Sequence, residues 1–485
     1  CIQCNRCAYV CPHAVIRPVA LTAEEAANAP EGMKTLDLTG MKEYKFTMSV
    51  SALDCTGCGS CVNVCPGKKG AKALAMENLE ASADEQKYFD YTVKLPIKED
   101  VIAKFKEATV KGSQFKQPLL EFSGACAGCG ETPYAKLITQ LFGDRMYIAN
   151  ATGCSSIWGN SSPSTPYTVN AKGQGPAWSN SLFEDNAEFG YGMLLAQRAI
   201  RDGLKAKVED VVANGTNEDV KAAGQEWLDT FAVGATNGAA TDKLVAALEA
   251  CGCDKAKEIL AQKDFLAKKS QWIFGGDGWA YDIGFGGVDH VLASGRDINV
   301  MVFDTEVYSN TGGQSSKSTP TGAIAQFAAG GKETKKKDMA SIAMSYGYVY
   351  VAQISMGADF NQTVKAIAEA EAYPGPSLII AYAPCINHGI KKGMAKAQTE
   401  EELAVKVGYW HNFRFNPAAE GNKFSLDSKA PSMEDYQAFL DGEVRYNSLK
   451  RQNPEKAARL FAKNEAEAKA RFEYLQKLIA LHSAE

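Results

Sequence analysis

Two matching arrays of cysteines constrain the fold of this chain more than any other feature of its sequence. The first array contains Cys1, Cys4, Cys7 and Cys11, and the second contains Cys55, Cys58, Cys61 and Cys65. Each has the spacing C-x2-C-x2-C-x3-C-P, which is typical of domains with two [4Fe-4S] clusters, where the fourth cysteine serves the other cluster. We therefore expect one cluster on Cys1, Cys4, Cys7 and Cys65, and a second on Cys11, Cys55, Cys58 and Cys61.

Zinc is the alternative occupant of such cysteines, because zinc prefers tetrahedral sites built from two ligand pairs. Two complete copies of the motif, each with its trailing proline, favour iron-sulfur clusters instead. The 14 cysteines of the chain are also too locally bunched for a disulfide framework. A chain with two adjacent clusters is expected to transfer single electrons.

Length and charge restrict the remaining possibilities. A chain of 485 residues predicts two or three domains. A net charge of −5 without a basic block gives no indication of a nucleic-acid or membrane partner. No apolar run approaches the roughly 20 residues of a membrane span, and no signal peptide is recognisable, so we expect a cytoplasmic protein. Because the first motif is already under way at Cys1, we expect a further region upstream.

The hydrophobic pattern predicts an α/β fold after a small first domain. From about Ser123, short apolar runs end in glycine-rich turns and alternate with helical patterns, which indicates a parallel sheet with helices on both faces. The predicted strands span residues 146–149, 272–274, 298–303, 348–354 and 377–383. We expect a small α+β two-cluster domain over residues 1–100 and the α/β domain over 101–415. Within the latter, residues 186–270 have the composition of a helical insertion, and a tail with a helix from Pro454 covers 416–485.

A predicted strand–helix–strand unit carries polar residues where both of its strands end. Gly-Asp277-Gly follows the first strand, and Thr305 begins the segment after the second. The carboxyl edge of a parallel sheet is where diphosphates bind, and magnesium requires oxygen ligands there. Oxygens of Asp277, Thr305 and Val307 meet that need, with Asp304 as the nearest competitor. The spacing resembles the thiamine diphosphate motif, although the usual asparagine is replaced here by Thr305.

Four further cysteines are predicted to meet at the same edge of the sheet. Cys126 and Cys129 form another C-x2-C pair, while Cys154 and Cys385 each follow a predicted strand. We expect these four thiols to bind a third [4Fe-4S] cluster beside the diphosphate, with zinc or unrelated free thiols as the alternative. Cys251 and Cys253 lie in the helical insertion without a partner motif and are expected to be inert.

Several longer motifs together resemble the carboxyl-terminal part of pyruvate:ferredoxin (flavodoxin) oxidoreductases, over residues 1 to about 415. The motifs are the paired cysteine arrays, GACAGCGETPYAKL, ATGCSSIWG, GDGWAYDIG, DTEVYSNTGGQ and APCINHG. The resemblance implies oxidative decarboxylation of pyruvate, with transfer of the acetyl group to coenzyme A. Electrons would leave through three [4Fe-4S] clusters to ferredoxin or flavodoxin.

The same resemblance implies roles for individual residues and partners. Cofactor-binding positions would be Glu131, Cys154, Asp277, Gly278, Trp279, Ala280, Thr305, Glu306, Val307, Tyr308, Ser309 and Asn310. Asn310 would also contact the substrate, and Glu131 and Asn310 are the predicted catalytic residues. Family members are expected to be homodimers, and their amino-terminal region holds the coenzyme A site and most substrate contacts; neither is identifiable in this chain.

Two other functions remain compatible with the sequence. A related enzyme acting on 2-oxoglutarate, a branched 2-oxoacid or indolepyruvate would share the same motifs. A pure electron carrier with a degenerate synthase domain would contain clusters without thiamine, and a zinc-stabilised interaction module would contain neither.

Overall fold

The computed structural model describes residues 1–159 and 164–483. The amino-terminal part contains a three-stranded antiparallel sheet in the order β1–β3–β2, formed by Ile16–Leu21, Leu36–Asp37 and Lys45–Val50. Short helices surround it: α1 Arg6–Tyr9, α2 Ala23–Ala27, α3 Ser60–Val64, α4 Leu79–Ser82, α5 Gln86–Thr92, α6 Glu99–Phe105 and α7 Val110–Ser113. The helices α1 and α3 contain the third cysteine of each array, Cys7 and Cys61, so the arrays are placed by a small α+β unit, as predicted.

An eight-stranded sheet forms the centre of the rest of the chain. Its order is β11–β10–β8–β9–β7–β6–β4–β5. The strands are β4 Met146–Ala151, β5 Ala177–Ser181, β6 Ser270–Gly276, β7 Ile298–Asp304, β8 Tyr350–Ile354, β9 Pro376–Tyr382, β10 Phe413–Phe415 and β11 Phe424–Leu426. The strands β4 to β9 pair in parallel, whereas β10 and β11 add an antiparallel edge. All five predicted strands are confirmed.

Helices cover both faces of this sheet, which confirms the predicted α/β class. They are α8 Thr132–Phe142, α9 Cys154–Gly159, α10 Asn186–Asn214, α11 Glu218–Asp229, α12 Gly234–Cys251, α13 Asp254–Leu260, α14 Phe285–Ala293, α15 Met339–Met344, α16 Phe360–Ala372, α17 Ala397–Lys406, α18 Tyr436–Asp441, α19 Val444–Gln452 and α20 Pro454–Leu481. On β7, Val300 and Val302 face one core while Met301 and Phe303 face the other. This alternation explains the continuous apolar run, because successive side chains of a strand point to opposite faces.

The helices α10 to α13 separate β5 from β6 and have a small apolar core of their own, centred on Trp227, Leu244 and Ile259. They occupy the region in which the sequence predicted a helical insertion. None of the helices in the described residues combines the length and apolar character needed to cross a lipid bilayer.

Candidate functional site

The carboxyl ends of four neighbouring strands create one polar rim. Register pairs Asn150 with Phe274, Gly276 with Phe303, and Asp304 with Tyr382, so β4, β6, β7 and β9 end side by side. A cavity of about 40 Å³ opens among the loops that follow. Ten of the predicted cofactor-binding residues line it: Glu131, Cys154, Asp277, Gly278, Trp279, Thr305, Val307, Tyr308, Ser309 and Asn310.

Three oxygens in this cavity are spaced as ligands of one small cation would be. The Thr305 hydroxyl oxygen lies 3.0 Å from Oδ1 of Asp277 and 2.9 Å from the Val307 carbonyl oxygen. Octahedral magnesium with bonds of 2.0–2.1 Å places neighbouring ligand oxygens ~2.9 Å apart. A carboxylate, a hydroxyl and a carbonyl are oxygen ligands of the kind that magnesium prefers, so the donor set fits magnesium.

The environment of Asp277 also favours a bound cation. Burial and the nearby charge of Asp304 raise the pKa of the Asp277 carboxyl well above its usual range. Ser316 donates a hydrogen bond of 2.5 Å to the other oxygen of this carboxyl. A divalent cation would hold the carboxylate in its ionised form, because an opposite charge at contact distance outweighs much of the desolvation cost.

Glycine at position 278 is required by the packing around the cavity. A methyl group there would lie 2.3 Å from the Tyr308 ring, closer than any real contact. The chain then makes one turn of π-helix over Gly278–Ile283, a rare conformation that is often found at functional sites. The turn directs Trp279 into the cavity, while Ala280 is buried in the apolar core instead.

Asp304, the competing ligand, is fully engaged elsewhere. Its carboxylate accepts hydrogen bonds from the Tyr281 hydroxyl at 2.9 Å and the Ser318 hydroxyl at 2.6 Å, and it pairs with Lys336 at 2.8 Å. It does not line the cavity. The geometry therefore favours Thr305 over Asp304 as the source of the second metal-binding oxygen.

Glu306 points away from the cavity, although the sequence places it between two predicted ligands. Its backbone is left-handed, with φ of 59°. Its buried carboxylate accepts from Lys336 at 2.9 Å, from Arg445 at 2.8 Å and from Tyr409 at 2.5 Å. Burial alone would raise the pKa of this carboxyl, but the charges of Lys336 and Arg445 hold it below its usual range.

His388 supports the same loop from the side of Cys385. Its Nε2 atom lies 2.7 Å from the Thr305 carbonyl oxygen, and its ring stacks on Tyr382. Burial lowers the pKa of His388 to about 3, so the imidazole is neutral and its Nε2 donates to that carbonyl. The sequence left His388 unassigned, since nothing in the pattern indicates a contact with Thr305.

Glu131 forms the opposite wall of the cavity at the start of α8. The indole nitrogen of Trp158 donates to its carboxylate at 2.7 Å, and burial raises the pKa of this carboxyl to about 7. The preceding Gly130 donates to the Pro384 carbonyl at 3.2 Å, and a methyl group on Gly130 would lie 2.6 Å from that oxygen. This close approach joins the loop that carries Cys129 to the loop that carries Cys385.

The four cysteines predicted to bind a third cluster face one another across these loops. Burial raises the pKa of the Cys154 thiol, and the charges of Glu131, Cys385, Cys129 and Cys126 raise it further. Burial likewise raises the pKa of Cys385, with Glu131 and Cys126 adding to the effect. The four thiols therefore lie near one another, which is the arrangement that a [4Fe-4S] cluster requires of its ligands.

Cysteines of the two amino-terminal arrays lie close to one another. A cavity of about 60 Å³ is lined by Cys1, Cys4, Cys7 and Cys65, together with apolar side chains such as Met48 and Leu74. Burial raises the pKa of Cys61 to about 12, and Cys11, Cys58 and Cys55 contribute to the increase. The fourth cysteine of each array therefore lies with the first three of the other array.

Among residues 1–159 and 164–483, no three His, Cys, Asp or Glu side chains are arranged to hold a single metal ion. A four-iron cluster separates its thiolates more widely than one zinc ion does.

Two family models match the chain. The 4Fe-4S dicluster domain matches residues 1–69, and the C-terminal TPP binding domain of thiamine pyrophosphate enzymes matches residues 232–381. Both matches agree with the kinds of cofactor that the cysteine arrays and the polar rim indicate.

Curated relatives match nearly the whole chain. Pyruvate-flavodoxin oxidoreductase of Enterobacter agglomerans is 58% identical, and that of Klebsiella pneumoniae is 55% identical. Pyruvate:ferredoxin oxidoreductase of Moorella thermoacetica is 57% identical. Each alignment covers 99% of this chain and 41% of the relative, so the chain spans about two fifths of the length of these proteins.

Proposed function

Since this chain corresponds to the carboxyl-terminal part of the pyruvate-flavodoxin and pyruvate:ferredoxin oxidoreductases, we propose that it holds the thiamine and iron-sulfur sites of such an enzyme. The proposed reaction is the oxidative decarboxylation of pyruvate to acetyl-coenzyme A and carbon dioxide. Electrons pass through three [4Fe-4S] clusters to ferredoxin or flavodoxin. Coenzyme A and most of the pyruvate contacts are assigned to parts of the protein outside this chain.

Each wall of the cavity has a separate task in this proposal. Bound thiamine diphosphate supplies the carbon centre that stabilises the negative charge left when pyruvate loses carbon dioxide. Asp277, Thr305 and Val307 would hold a magnesium ion beside the diphosphate. Glu131 remains buried against Trp158 and can hold or accept a proton near neutral pH. Asn310 lines the cavity mouth, where it can contact the substrate.

One observation carries the proposal: Cys154 belongs to two sites at once. It lines the cofactor cavity, and it also lies among the four thiols of the third cluster set. A cluster bound there would be in direct contact with the cofactor cavity. This arrangement allows electrons to leave one at a time without an intervening carrier.

The packing also supports an order for the three clusters. The segment Met394–Lys396 lies between the third cysteine set and α3. On the side of the third set, Gly128 packs so closely against it that a methyl group there would be 2.7 Å from the Met394 carbonyl oxygen. On its other side, the Asn63 amide donates to the Ala395 carbonyl at 2.8 Å. We therefore assign the cluster of Cys11, Cys55, Cys58 and Cys61 as the second carrier. The cluster of Cys1, Cys4, Cys7 and Cys65 follows it.

Metal and cofactor analysis of the anaerobically purified protein tests this function. We expect about twelve irons per chain, from three four-iron clusters, together with thiamine diphosphate. An electron carrier with a degenerate synthase domain would contain the iron and sulfide without thiamine. A zinc module would contain zinc without either. Activity with 2-oxoglutarate but not with pyruvate would overturn the assigned substrate.

A matched pair of variants separates the cofactor site from the clusters. Asp277→Ala is expected to lose thiamine diphosphate while keeping all of its iron. Asp282→Asn is the control, because Asp282 is on the same turn but accepts hydrogen bonds from the Lys317 amide instead. Retention of thiamine diphosphate by the Asp277 variant would contradict the proposed magnesium site.

A further inference from the structure

Two cysteines remain once the three cluster sets are filled. Of the 14 cysteines, 12 belong to those sets, which leaves Cys251 and Cys253 in the helical insertion. Their sulfur atoms lie 3.1 Å apart. Cys253 is exposed and Cys251 is partly exposed. The sequence predicts inert thiols, but such proximity at the surface indicates a chemical pair.

The local backbone brings the two sulfur atoms together. Cys251 is the last residue of α12, and Cys253 immediately precedes α13. Gly252 joins them in a left-handed conformation, with φ of 61°, which a glycine adopts without strain. The turn between the helices thus points both side chains to the same side.

The pair has the asymmetry of a nucleophile and a resolving thiol. A hydrogen bond from Cys251 lowers the pKa of the Cys253 thiol, and backbone N–H groups of Ala256 and Lys255 lower it further. Thiolates rather than thiols are the reactive species, so the exposed Cys253 is the expected nucleophile. Cys251 also packs against the apolar core of the insertion, so it is the less accessible of the two.

A metal site is not supported at this position. A structural site for a soft metal ion requires three or four ligands, and no third His, Cys, Asp or Glu in the described residues completes such a set here. Two adjacent thiols without a further ligand are suited to thiol–disulfide chemistry instead.

We propose that Cys251 and Cys253 form a reversible dithiol–disulfide pair that is oxidised by hydrogen peroxide. The sulfur of Cys253 attacks one peroxide oxygen, the O–O bond breaks, and the departing hydroxide takes a proton to become water. The resulting sulfenic acid is attacked by the sulfur of Cys251, which forms the S–S bond and releases a second water. Two electrons and two protons leave the thiols, and the peroxide is reduced to two waters.

The disulfide should be easily reduced again. It would close a loop of only three residues, and the stabilisation that a disulfide gives grows with the length of the closed loop. Exposed disulfides of this kind have relatively high reduction potentials, so a dithiol such as dithiothreitol reverses the oxidation. The pair is therefore suited to repeated oxidation and reduction rather than to stabilising the fold.

One tryptic peptide tests the proposal. Cleavage after Lys243 and Lys255 releases residues 244–255, which contain both of these cysteines and no others. After peroxide treatment of the cluster-loaded protein, the peptide should be about 2 Da lighter than its dithiol form and resist alkylation until dithiothreitol is added. A peptide that stays fully alkylated, carries sulfinic acid, or is linked to a second chain would overturn the proposal.

Single serine variants assign the two roles. In Cys251→Ser, peroxide should leave a sulfenic acid on Cys253 that dimedone traps. Cys253→Ser should react at least several-fold more slowly and give no dimedone adduct. Neither variant touches a proposed cluster ligand, so iron content and pyruvate oxidation are expected to be unchanged. Equal reactivity of both variants would contradict the assigned nucleophile.

Discussion

Adjacent residues in the loop after β7 have opposite orientations and different tasks. Thr305 turns its hydroxyl toward Asp277, whereas Glu306 turns its carboxylate away toward Arg445. A left-handed conformation at a residue other than glycine costs ~1–3 kcal/mol, and the surrounding ion pairs must offset that cost. The position of the proposed metal-binding oxygen of Thr305 therefore depends on the contacts that the neighbouring Glu306 makes on the opposite side of the loop.

Replacing Thr305 tests the hydroxyl ligand directly. Thr305→Val keeps the side-chain shape but removes one of the three oxygens, so magnesium-dependent binding of thiamine diphosphate should weaken ~10-fold or more. Thr305→Ser restores the oxygen and should recover most of the affinity. Calorimetric titration of both variants with magnesium and thiamine diphosphate measures the difference. Equal binding by the valine and serine variants would show that Thr305 is not a ligand.

Replacing Glu306 tests whether its buried ion pairs stabilise the loop after β7. Glu306→Gln removes a counter-charge that the buried Lys336 and Arg445 share. Lys336 keeps Asp304 and Arg445 keeps Glu443 as partners, so the free energy of unfolding should fall by ~1–3 kcal/mol. Glu333→Gln is the matched control, because Glu333 pairs with Lys456 and Arg459 at the surface, where pairs contribute under ~1 kcal/mol. Urea denaturation measures both; similar losses in the two variants would contradict the argument.

At the level of elements, the strands of the central sheet were predictable where they are apolar throughout. The edge strand β5, with the sequence AWSNS, was missed because it is polar and largely accessible. The short antiparallel strands β10 and β11 were missed as well, since three residues are too few to show a period. Buried strands can be recognised from their apolar composition, whereas edge strands depend on pairing with a neighbouring strand.

The carboxyl-terminal helix α20 packs against His411, a histidine whose pKa is shifted. His411 precedes β10 and its ring lies 5.7 Å from the Phe472 ring of α20. Burial lowers the pKa of His411 from 6.5 to about 4. The unfolded chain therefore binds a proton below about pH 6.5, while the folded chain does not until about pH 4, so acidification favours unfolding.

The difference in the pKa of His411 between the folded and unfolded chain predicts how stability changes with pH. Between pH 6.5 and 5.5 the His411 contribution should reduce stability by up to ~1.4 kcal/mol per pH unit. His411→Gln should show a correspondingly smaller loss when urea denaturation is followed at pH 7 and pH 5.5. His290→Gln, at an exposed position, should keep the wild-type dependence. An unchanged slope in the His411 variant would rule out this histidine as its source.

For the whole molecule, the small cluster-bearing part and the α/β part are joined by buried polar contacts. The Lys136 amine on α8 donates to the carbonyl of Tyr9 at 3.0 Å and to that of Ala8. The Tyr9 hydroxyl in turn donates to the Phe360 carbonyl at 3.1 Å. These bonds attach α1, which contains Cys7, directly to the helices beside the sheet.

Lys136→Met tests this attachment. Methionine can fill the space but leaves the Tyr9 carbonyl without a donor and the Ala8 carbonyl with only backbone donors such as the Cys11 amide, so unfolding should become easier by ~1–3 kcal/mol. Hydrogen exchange should increase in residues 1–20 more than in the strands of the central sheet. Lys116→Met removes a partly exposed lysine nearby and should have a smaller effect. Uniform exchange across both parts would show that Lys136 is not a specific link.

The 4Fe-4S dicluster character of the first part of the chain could be predicted from the sequence, but the residues that support Asp277 and the loop after β7 could not. The cysteine arrays repeat at fixed short spacing, so their chemistry is visible locally. Ser316, His388 and Arg445 lie 39, 83 and 139 residues from the loop residues they contact. Such contacts form only in the folded chain, so no local sequence pattern predicts them.

The close packing around Met394–Lys396 has a consequence for the rate of electron transfer in the proposed path. Gly59 and Gly128 face this segment from opposite sides, and neither could carry a side chain without displacing it or adopting a strained backbone. Electrons tunnel between clusters with a probability that decays exponentially with distance. On the proposed path from the third cysteine set to α3, a side chain at position 128 would displace this segment, lengthen the distance between the clusters and slow electron transfer.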